Sequence, residues 1–156
     1  MTSPQLLEGE VSARGRRIAV IAARFNDFIV ASLLKGALGA WVERGGAASE
    51  LAVVRVPGAF ELPVAARRLA ASGRYDALVA LGCVIRGDTP HFEYVAGECA
   101  RGLQLASLET GVPIAFGVLT VDSVEQALER AATSAGNKGG AAMESALEMA
   151  GLMARL

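Results

Sequence analysis

The only histidine of this 156-residue sequence, His91, lies in the stretch GDTPHFEYV, directly after the apolar run YDALVALGCVI. The unperturbed pKa of histidine, about 6.5, lies near neutrality, so a single imidazole can move protons at neutral pH. A histidine in this place can equally be a satisfied residue of a core or a helix end. The residues that surround His91 must therefore decide between an acid–base role and a structural one.

Four loops carry the other residues that could do chemistry, and each loop follows an apolar run. They are RFND after RIAVIAA, PGAFE after LAVVRV, RGDTPH after YDALVALGCVI, and TVDS after PIAFGVLT. In open α/β sheets, ligands bind beyond the carboxyl ends of the strands, where such loops meet. His91 is therefore expected to share one edge of a sheet with two aromatic and two polar residues, Phe25, Phe60, Asn26 and Glu61.

Each loop residue has a structural alternative. The ring of Phe25 could stack on a flat ligand or cap the core. Asn26 and Asp27 are ordinary turn and N-cap residues, with Asp27 favoured as the cap, and Glu61 near a helix start is favourable to the helix dipole without any function. In RGDTPH, backbone N–H groups at a helix start form a natural phosphate cradle, but Asp88 or Thr89 could be the cap there.

Two basic residues extend the site hypothesis. Arg130 ends a helical stretch, and Lys138 lies in the glycine-rich segment SAGNKGG. If both approach the same edge, within one subunit or across an interface, they supply cations for a phosphate ester; otherwise they are solvated residues at helix ends. A stacking ring, a carboxylate, a phosphate cradle and a base together indicate a site for a polar heterocycle and a small phosphorylated compound.

Short apolar runs alternate four times with longer helical patterns. Strands are predicted at 17–23, 51–56, 77–85 and 113–120, and helices at about 28–44, 61–72, 90–109, 123–132 and 141–154. This alternation predicts parallel strands joined by right-handed crossovers, with helices on both faces. The predicted fold is a single three-layer α/β domain over residues 17–156, with a four-stranded parallel sheet of flavodoxin-like topology. Residues 1–16 are an N-terminal extension and a candidate extra strand on a neighbouring subunit.

Composition narrows the function classes. With 15 Lys and Arg against 16 Asp and Glu, the formal charge of -1 gives no reason to expect nucleic acid or an anionic membrane as partner. A hydrophobic fraction of 53% predicts an oligomer, because excess apolar surface usually ends in an interface. The N-terminus has no apolar segment of signal-peptide length, so we expect a cytoplasmic protein. Cys83 and Cys99 show no metal-ligand spacing and are predicted to be small buried residues.

Six ordered motifs carry a resemblance to a known family. RFNDFI, VPGAFELP, GCVIRGDTPHFEYV, FGVLT, EQALERA and AGNKGG, in this order and spacing, resemble the 6,7-dimethyl-8-ribityllumazine synthase family over about residues 14–154. The resemblance implies condensation of 5-amino-6-(D-ribitylamino)uracil with 3,4-dihydroxy-2-butanone 4-phosphate, the penultimate step of riboflavin biosynthesis. It also implies that no metal or organic cofactor takes part.

The resemblance implies a role for each matching position. Phe25 would stack on the pyrimidine ring, and Asn26, Gly58, Ala59, Phe60 and Glu61 would lie around the ring and its ribityl chain. The polar edge of the ring would be bound by main-chain groups near Cys83, Val84 and Ile85. The phosphate would lie at Gly87, Asp88 and Thr89, with the negative charge of Asp88 as a departure that needs an offsetting cation. His91 would move protons, and Phe116, Arg130 and Lys138 would come from the adjacent subunit, with Arg130 on the phosphate.

Family members form pentamers, paired pentamers or hollow icosahedral shells of twelve pentamers, and riboflavin synthase is a candidate partner. The uninterrupted SAGNKGG segment resembles that of the shell-forming members. Two other classes are weighed against the synthase. A flavin-binding module of flavodoxin type needs a Ser/Thr/Gly-rich phosphate loop after the first strand, and RFNDF is not one. A non-catalytic binding shell would have no need of His91, Arg130 and Lys138.

Overall fold

The computed structural model describes residues 2–132 and 136–156 and is built around a four-stranded parallel sheet. The strands are β1 (Ile18–Ala23), β2 (Ala52–Val56), β3 (Ala77–Ile85) and β4 (Ile114–Val121), in the order β2-β1-β3-β4. The α-helices of the described residues are α1 (Asp27–Glu43), α2 (Leu62–Ala71), α3 (His91–Thr110), α4 (Val124–Arg130) and α5 (Lys138–Met153). The predicted α/β fold class, with a parallel sheet of flavodoxin-like order, is confirmed.

The sheet separates two hydrophobic cores, as a three-layer fold requires. Successive side chains of a strand point to opposite faces, so the alternate residues of β1 enter different cores. Val20 packs in the core that contains Leu33 of α1 and Leu147 of α5. Its neighbour Ile21 packs in the core that contains Leu62 of α2 and Leu103 of α3. Every residue of β1 is buried, which explains why this strand is an uninterrupted apolar run.

The hydrogen-bonded ladder continues past the carboxyl ends of the strands and fixes where the loops begin. The backbone N–H of Arg24 donates to the carbonyl of Val56 at 2.8 Å, and that of Phe25 donates to Pro57 at 2.9 Å. On the other side of the sheet, the N–H of Arg86 donates to the carbonyl of Val121 at 2.8 Å. The loops that leave β1, β2, β3 and β4 therefore start at one edge, as predicted.

Helix α5 begins at Lys138, three residues before the predicted start at about 141. Asn137 caps it, because its side-chain oxygen accepts a hydrogen bond from the N–H of Gly140 at 3.0 Å. Gly139 lies so close to the backbone of Leu33 that a Cβ there would stand 2.0 Å from the Leu33 carbonyl oxygen. Gly139, in the segment that predicted a loop, therefore lets the start of α5 lie against the backbone of α1.

The N-terminal segment packs against its own chain. A Cβ on Gly9 would stand 1.8 Å from the carbonyl oxygen of Glu148, so the segment passes directly over α5. The guanidinium of Arg155 donates to the carbonyl of Glu8 at 2.8 Å, and Ala13 is buried. Residues 2–17 form no strand. An extra strand on a neighbouring subunit stays a prediction.

Candidate functional site

A cavity of about 830 Å³, here called the edge groove, opens at the carboxyl edge of the sheet. It brings together most of the predicted site residues, namely Phe25, Asn26, Gly58, Ala59, Phe60, Glu61, Cys83, Val84, Ile85, Gly87, Thr89 and His91. These residues end or follow three different strands, so their meeting is a consequence of parallel pairing. Asp88, in the same loop as Thr89, is exposed and does not line the groove.

The first wall depends on the turn at Asn26. This residue is in the left-handed region, with φ 62° and ψ 45°, and is the only non-glycine residue with positive φ among those described. Its Nδ2 donates to the carbonyl of Cys83 at 2.8 Å and ties the end of β1 to the end of β3. The adjacent ring of Phe25 is 72% exposed, so it does not cap the core. An exposed ring on a pinned turn offers a flat face for stacking a ligand ring.

The predicted helix cap at Asp27 is wrong. Asn26 occupies the N-cap position of α1, without a side-chain cap hydrogen bond, and Asp27 lies in the first turn. Its carboxylate forms an ion pair with Arg55 of β2 at 2.7 Å. Because both side chains are largely exposed, this pair adds little stability, but it holds the N-terminus of α1 beside β2.

The second wall is a short 3-10 turn, Ala59–Glu61, that leads into α2. Gly58 precedes it in extended conformation, and a Cβ there would stand 3.3 Å from Oε1 of Glu61 and 3.9 Å from Cβ of Phe25. Oε1 of Glu61 and Cβ of Phe25 thus both lie close to Gly58, and Phe60 in the same turn is 58% exposed. A carboxylate next to an exposed ring accepts hydrogen bonds from N–H or O–H groups on the rim of a stacked heterocycle.

The third wall comes from the end of β3, where the side chain of Cys83 is buried. Burial raises the pKa of the Cys83 thiol to about 11, and it raises that of Cys99 equally, to about 11. Both residues are free and stay protonated at neutral pH, so neither is a nucleophile. The prediction that both cysteines are buried is confirmed.

Helix α3 starts at His91, which is exposed at the edge groove. The N-cap residue is Pro90, without a side-chain cap, so neither Asp88 nor Thr89 has the capping role that was the alternative to phosphate binding. The first N–H groups of any α-helix have no partner within the helix and attract anions. Thr89 and His91 therefore place a hydroxyl and an imidazole beside a surface that favours an anion.

Four lining residues were not predicted from the sequence: Pro57, Phe92, Tyr94 and Val95. Tyr94 and Val95 stand three and four positions after His91, so they share its face of the helix. The helical period after His91 is the signal that could have identified them. Tyr94 is 69% exposed and adds a further aromatic ring and a hydroxyl to the groove.

The remaining predicted residues lie elsewhere in the chain. Phe116, Arg130 and Lys138 line a second cavity of about 340 Å³ with Thr120 and Ser145, here called the basic cavity. It lies between β4 and α5, and the guanidinium of Arg130 donates to the carbonyl of Gln126 at 3.2 Å. The edge groove and the basic cavity have no lining residue in common. Within one chain, the predicted cations are thus separate from His91.

Over residues 2–132 and 136–156, no cluster of three His, Cys, Asp or Glu side chains could hold a metal ion. In the same part of the chain, every helix is too short or too polar to cross a membrane.

The family model for 6,7-dimethyl-8-ribityllumazine synthase matches residues 15–154 of the chain. The match covers all of the sheet, all of the described helices, the edge groove and the basic cavity. It confirms the resemblance that the six sequence motifs carry.

Proposed function

Because the chain belongs to the 6,7-dimethyl-8-ribityllumazine synthase family, we propose that it condenses 5-amino-6-(D-ribitylamino)uracil with 3,4-dihydroxy-2-butanone 4-phosphate. Membership makes it a transferase of riboflavin biosynthesis that acts on small molecules in an oligomeric assembly. The products are 6,7-dimethyl-8-ribityllumazine, phosphate and water, so the reaction is the penultimate step of that pathway. We place the reaction in the cytoplasm.

The observation that carries this proposal is the pairing of an exposed ring with a carboxylate at the edge groove. The pyrimidine stacks on Phe25, and Glu61 accepts hydrogen bonds from the ribityl hydroxyls or ring N–H groups. Main-chain groups of Val84 and Ile85 bind the polar edge of the ring. The carbonyl of Cys83 already accepts a hydrogen bond from Asn26, so it does not bind the ring and instead holds the turn that carries Phe25.

The phosphate ester lies at the start of α3, near Gly87 and Thr89. Unpaired N–H groups at a helix start stabilise an anion without a side chain. Since Asp88 is exposed and does not line the groove, its carboxylate does not face the phosphate, which is bound by backbone N–H groups. This placement keeps the second substrate within reach of His91, the first residue of the same helix.

His91 moves protons during the reaction. The ring amine attacks the ketone, an imine forms, phosphate leaves, and the second nitrogen closes the ring. Several of these steps transfer a proton near neutral pH, where an imidazole is effective. Because an amine and a ketone also react in solution, much of the acceleration comes from holding both substrates in register. Replacing His91 therefore slows the enzyme without abolishing turnover.

A second copy of the chain completes the site. The basic cavity carries Phe116, Arg130 and Lys138 but lies apart from the edge groove of its own chain. An adjacent subunit that turns its basic cavity toward the groove supplies the cations that a phosphate ester needs, with Arg130 on the phosphate. A ring of five subunits repeats this contact, and we propose a pentamer that assembles further into a shell. Riboflavin synthase, which consumes the product, is the proposed partner.

Mixed assemblies test both the reaction and the shared site. Lumazine formation is followed optically with wild type, with a Phe25→Ala, His91→Ala double variant, and with Arg130→Ala. Co-assembly of equal amounts of the two defective subunits restores intact residues at about one quarter of the sites, because each site takes one wall from each neighbour. Recovered turnover supports the shared site.

Two other outcomes have defined meanings. If the co-assembly is no more active than the average of the two defective assemblies, the site lies within one chain and the proposed sharing is wrong. If wild type is folded and assembled but forms lumazine no faster than buffer, the protein is a binding shell and the proposed reaction is wrong.

A further inference from the structure

Arg86 is the residue between two lining residues of the edge groove, Ile85 and Gly87, yet its own side chain does not line the groove. Its guanidinium instead contacts three side chains, of which only Phe92 lines the groove. Nε donates to Oδ1 of Asp122 at 2.9 Å, and Nη1 forms an ion pair with Glu93. The planar guanidinium also lies over the ring of Phe92, 4.4 Å from the ring centroid.

These contacts join the ends of two strands to the start of one helix. Arg86 extends the ladder of β3 and β4, since its N–H donates to Val121. Asp122 follows β4, and its backbone N–H donates to Oε1 of Gln126 in the first turn of α4 at 2.7 Å. Phe92 and Glu93 are the two residues after His91 in the first turn of α3. Every contact of the guanidinium on α3 is thus within two residues of His91.

A planar fork with several donors fits this task, because it can hold two carboxylates and stack on a ring at once. The hydrogen bonds that Arg86 donates to Asp122 and Glu93 raise the pKa of Arg86, and the one to Glu93 lowers the pKa of Glu93. Arg86 and Glu93 are therefore both charged at neutral pH. Charge-assisted hydrogen bonds from one guanidinium thus join the first turn of α3 to the end of β4.

We propose that Arg86 is a positioning residue that sets the orientation of His91 in the reaction proposed above. It acts through Phe92 and Glu93 and does not touch a substrate. The proposal rests on the proposed function for its kinetic consequence, but the geometry of His91 can be tested without turnover.

Arg67 offers a matched control on the same helix. It is an exposed arginine of α2 that forms an ion pair with Glu109, near the C-terminal end of α3. Arg86→Gln and Arg67→Gln each remove one guanidinium from a carboxylate of α3, one at the end that carries His91 and one at the far end. A loss that reflects only the general stability of α3 is the same in both variants.

The kinetic test is a double-mutant cycle on the assembled enzyme. We expect Arg86→Gln to lower kcat about 10-fold, a fraction of what a positioned acid–base group provides, with the KM for ribitylaminouracil unchanged. Arg67→Gln keeps the wild-type kcat. In a His91→Ala background, Arg86→Gln changes kcat less than about 2-fold, because a residue that acts through His91 has nothing left to orient. Arg86→Lys keeps the charge but not the fork, so it recovers part of the loss.

A second test does not depend on turnover. His91 is the only histidine of the chain, so the rate of its modification by diethyl pyrocarbonate reports one imidazole. We expect this rate to change in Arg86→Gln and to stay at the wild-type value in Arg67→Gln. If Arg86→Gln does not fold, Glu93→Gln is used in both tests. It removes only the ion pair with α3 and keeps the contact of Arg86 with Phe92, so the same effects are expected at smaller size.

The outcomes separate the two proposals. Equal losses of kcat from Arg86→Gln in the presence and absence of His91, or equal behaviour of Arg86→Gln and Arg67→Gln in both tests, overturn the positioning role and leave the reaction standing. A wild type without turnover overturns the reaction, and the modification rate then decides alone whether Arg86 orients His91.

Discussion

Asn26 offers the sharpest test of how the edge groove is built, because it combines a left-handed backbone with a hydrogen bond between β1 and β3. Alanine at this position loses the bond to Cys83, a net loss of about 1 kcal/mol, and keeps a side chain in the left-handed region, which costs about 1–2 kcal/mol. Glycine also loses the bond but adopts positive φ without strain, at about 0.5–1 kcal/mol of extra chain entropy in the unfolded state. The expected order of stability is wild type, then Asn26→Gly, then Asn26→Ala, with the alanine variant about 2–3 kcal/mol below wild type.

Asn26→Asp isolates the hydrogen bond. Aspartate tolerates the left-handed region nearly as asparagine does, but its carboxylate has no N–H to donate to the Cys83 carbonyl. We expect a loss of at least about 1 kcal/mol from this change alone.

The free energy of unfolding is measured in urea at one fixed protein concentration, because association adds a concentration-dependent stability. The single tryptophan, Trp41, is fully buried and reports unfolding by its fluorescence. Equal stability of the glycine and alanine variants would show that the left-handed backbone carries no strain. An aspartate variant as stable as wild type would refute the structural role of the bond.

Three further predictions concern binding and pH. Phe25→Ala raises the KM for ribitylaminouracil about 10-fold, because a stacked ring contributes about 1 kcal/mol or more to binding. Phe25→Trp keeps an aromatic face and the wild-type KM, and an alanine variant with the wild-type KM would contradict the stacking role. Burial raises the pKa of Cys83 and Cys99 from 9.0 to about 11, so the folded state binds more protons than the unfolded state between these pH values. The free energy of unfolding therefore falls as pH rises from 9 to 11. Measured in urea, it should fall less steeply with pH in a Cys83→Ala, Cys99→Ala variant, and an unchanged pH dependence would contradict the assignment. Burial opposes the ionisation of Asp76, but hydrogen bonds from the side chain and backbone of Arg17 outweigh burial and lower the pKa of Asp76. The ionised carboxylate therefore stabilises the folded state above about pH 4, and this stabilisation is lost as pH falls below it. Asp76→Asn should remove this dependence of the unfolding free energy on acid pH, unlike a variant that only weakens packing.

The fold was predictable because the two central strands, β1 and β3, are apolar on both faces and each of the four strands is followed by turn residues. The same pattern located the groove, since loops that follow parallel strands share one edge. The residues that escaped prediction depend on geometry that loop motifs do not carry. Tyr94 faces the groove because of the helical phase set by His91, and Lys138 begins a helix because Gly139 can lie against the backbone of α1.

The sequence could not show that Arg130 and His91 lie in separate cavities of one chain, because the type of a residue does not indicate which cavity its side chain lines. Parallel strands bring their ends to one edge but do not fix the direction of each side chain there. No role for Arg86 could be predicted from the sequence, for the same reason. Its neighbours line the groove, while its own guanidinium points to Asp122 and Glu93.

The order of lining residues along the chain has a consequence for how this protein can change over generations. Among the described residues, the edge groove is lined only by residues from Phe25 to Val95, and the basic cavity only by residues from Ala115 to Ser145. A single genetic crossover in the intervening nineteen positions, most of which form α3, exchanges one set between relatives and leaves the other intact. The two walls can thus be inherited as separate units, although neither is a domain.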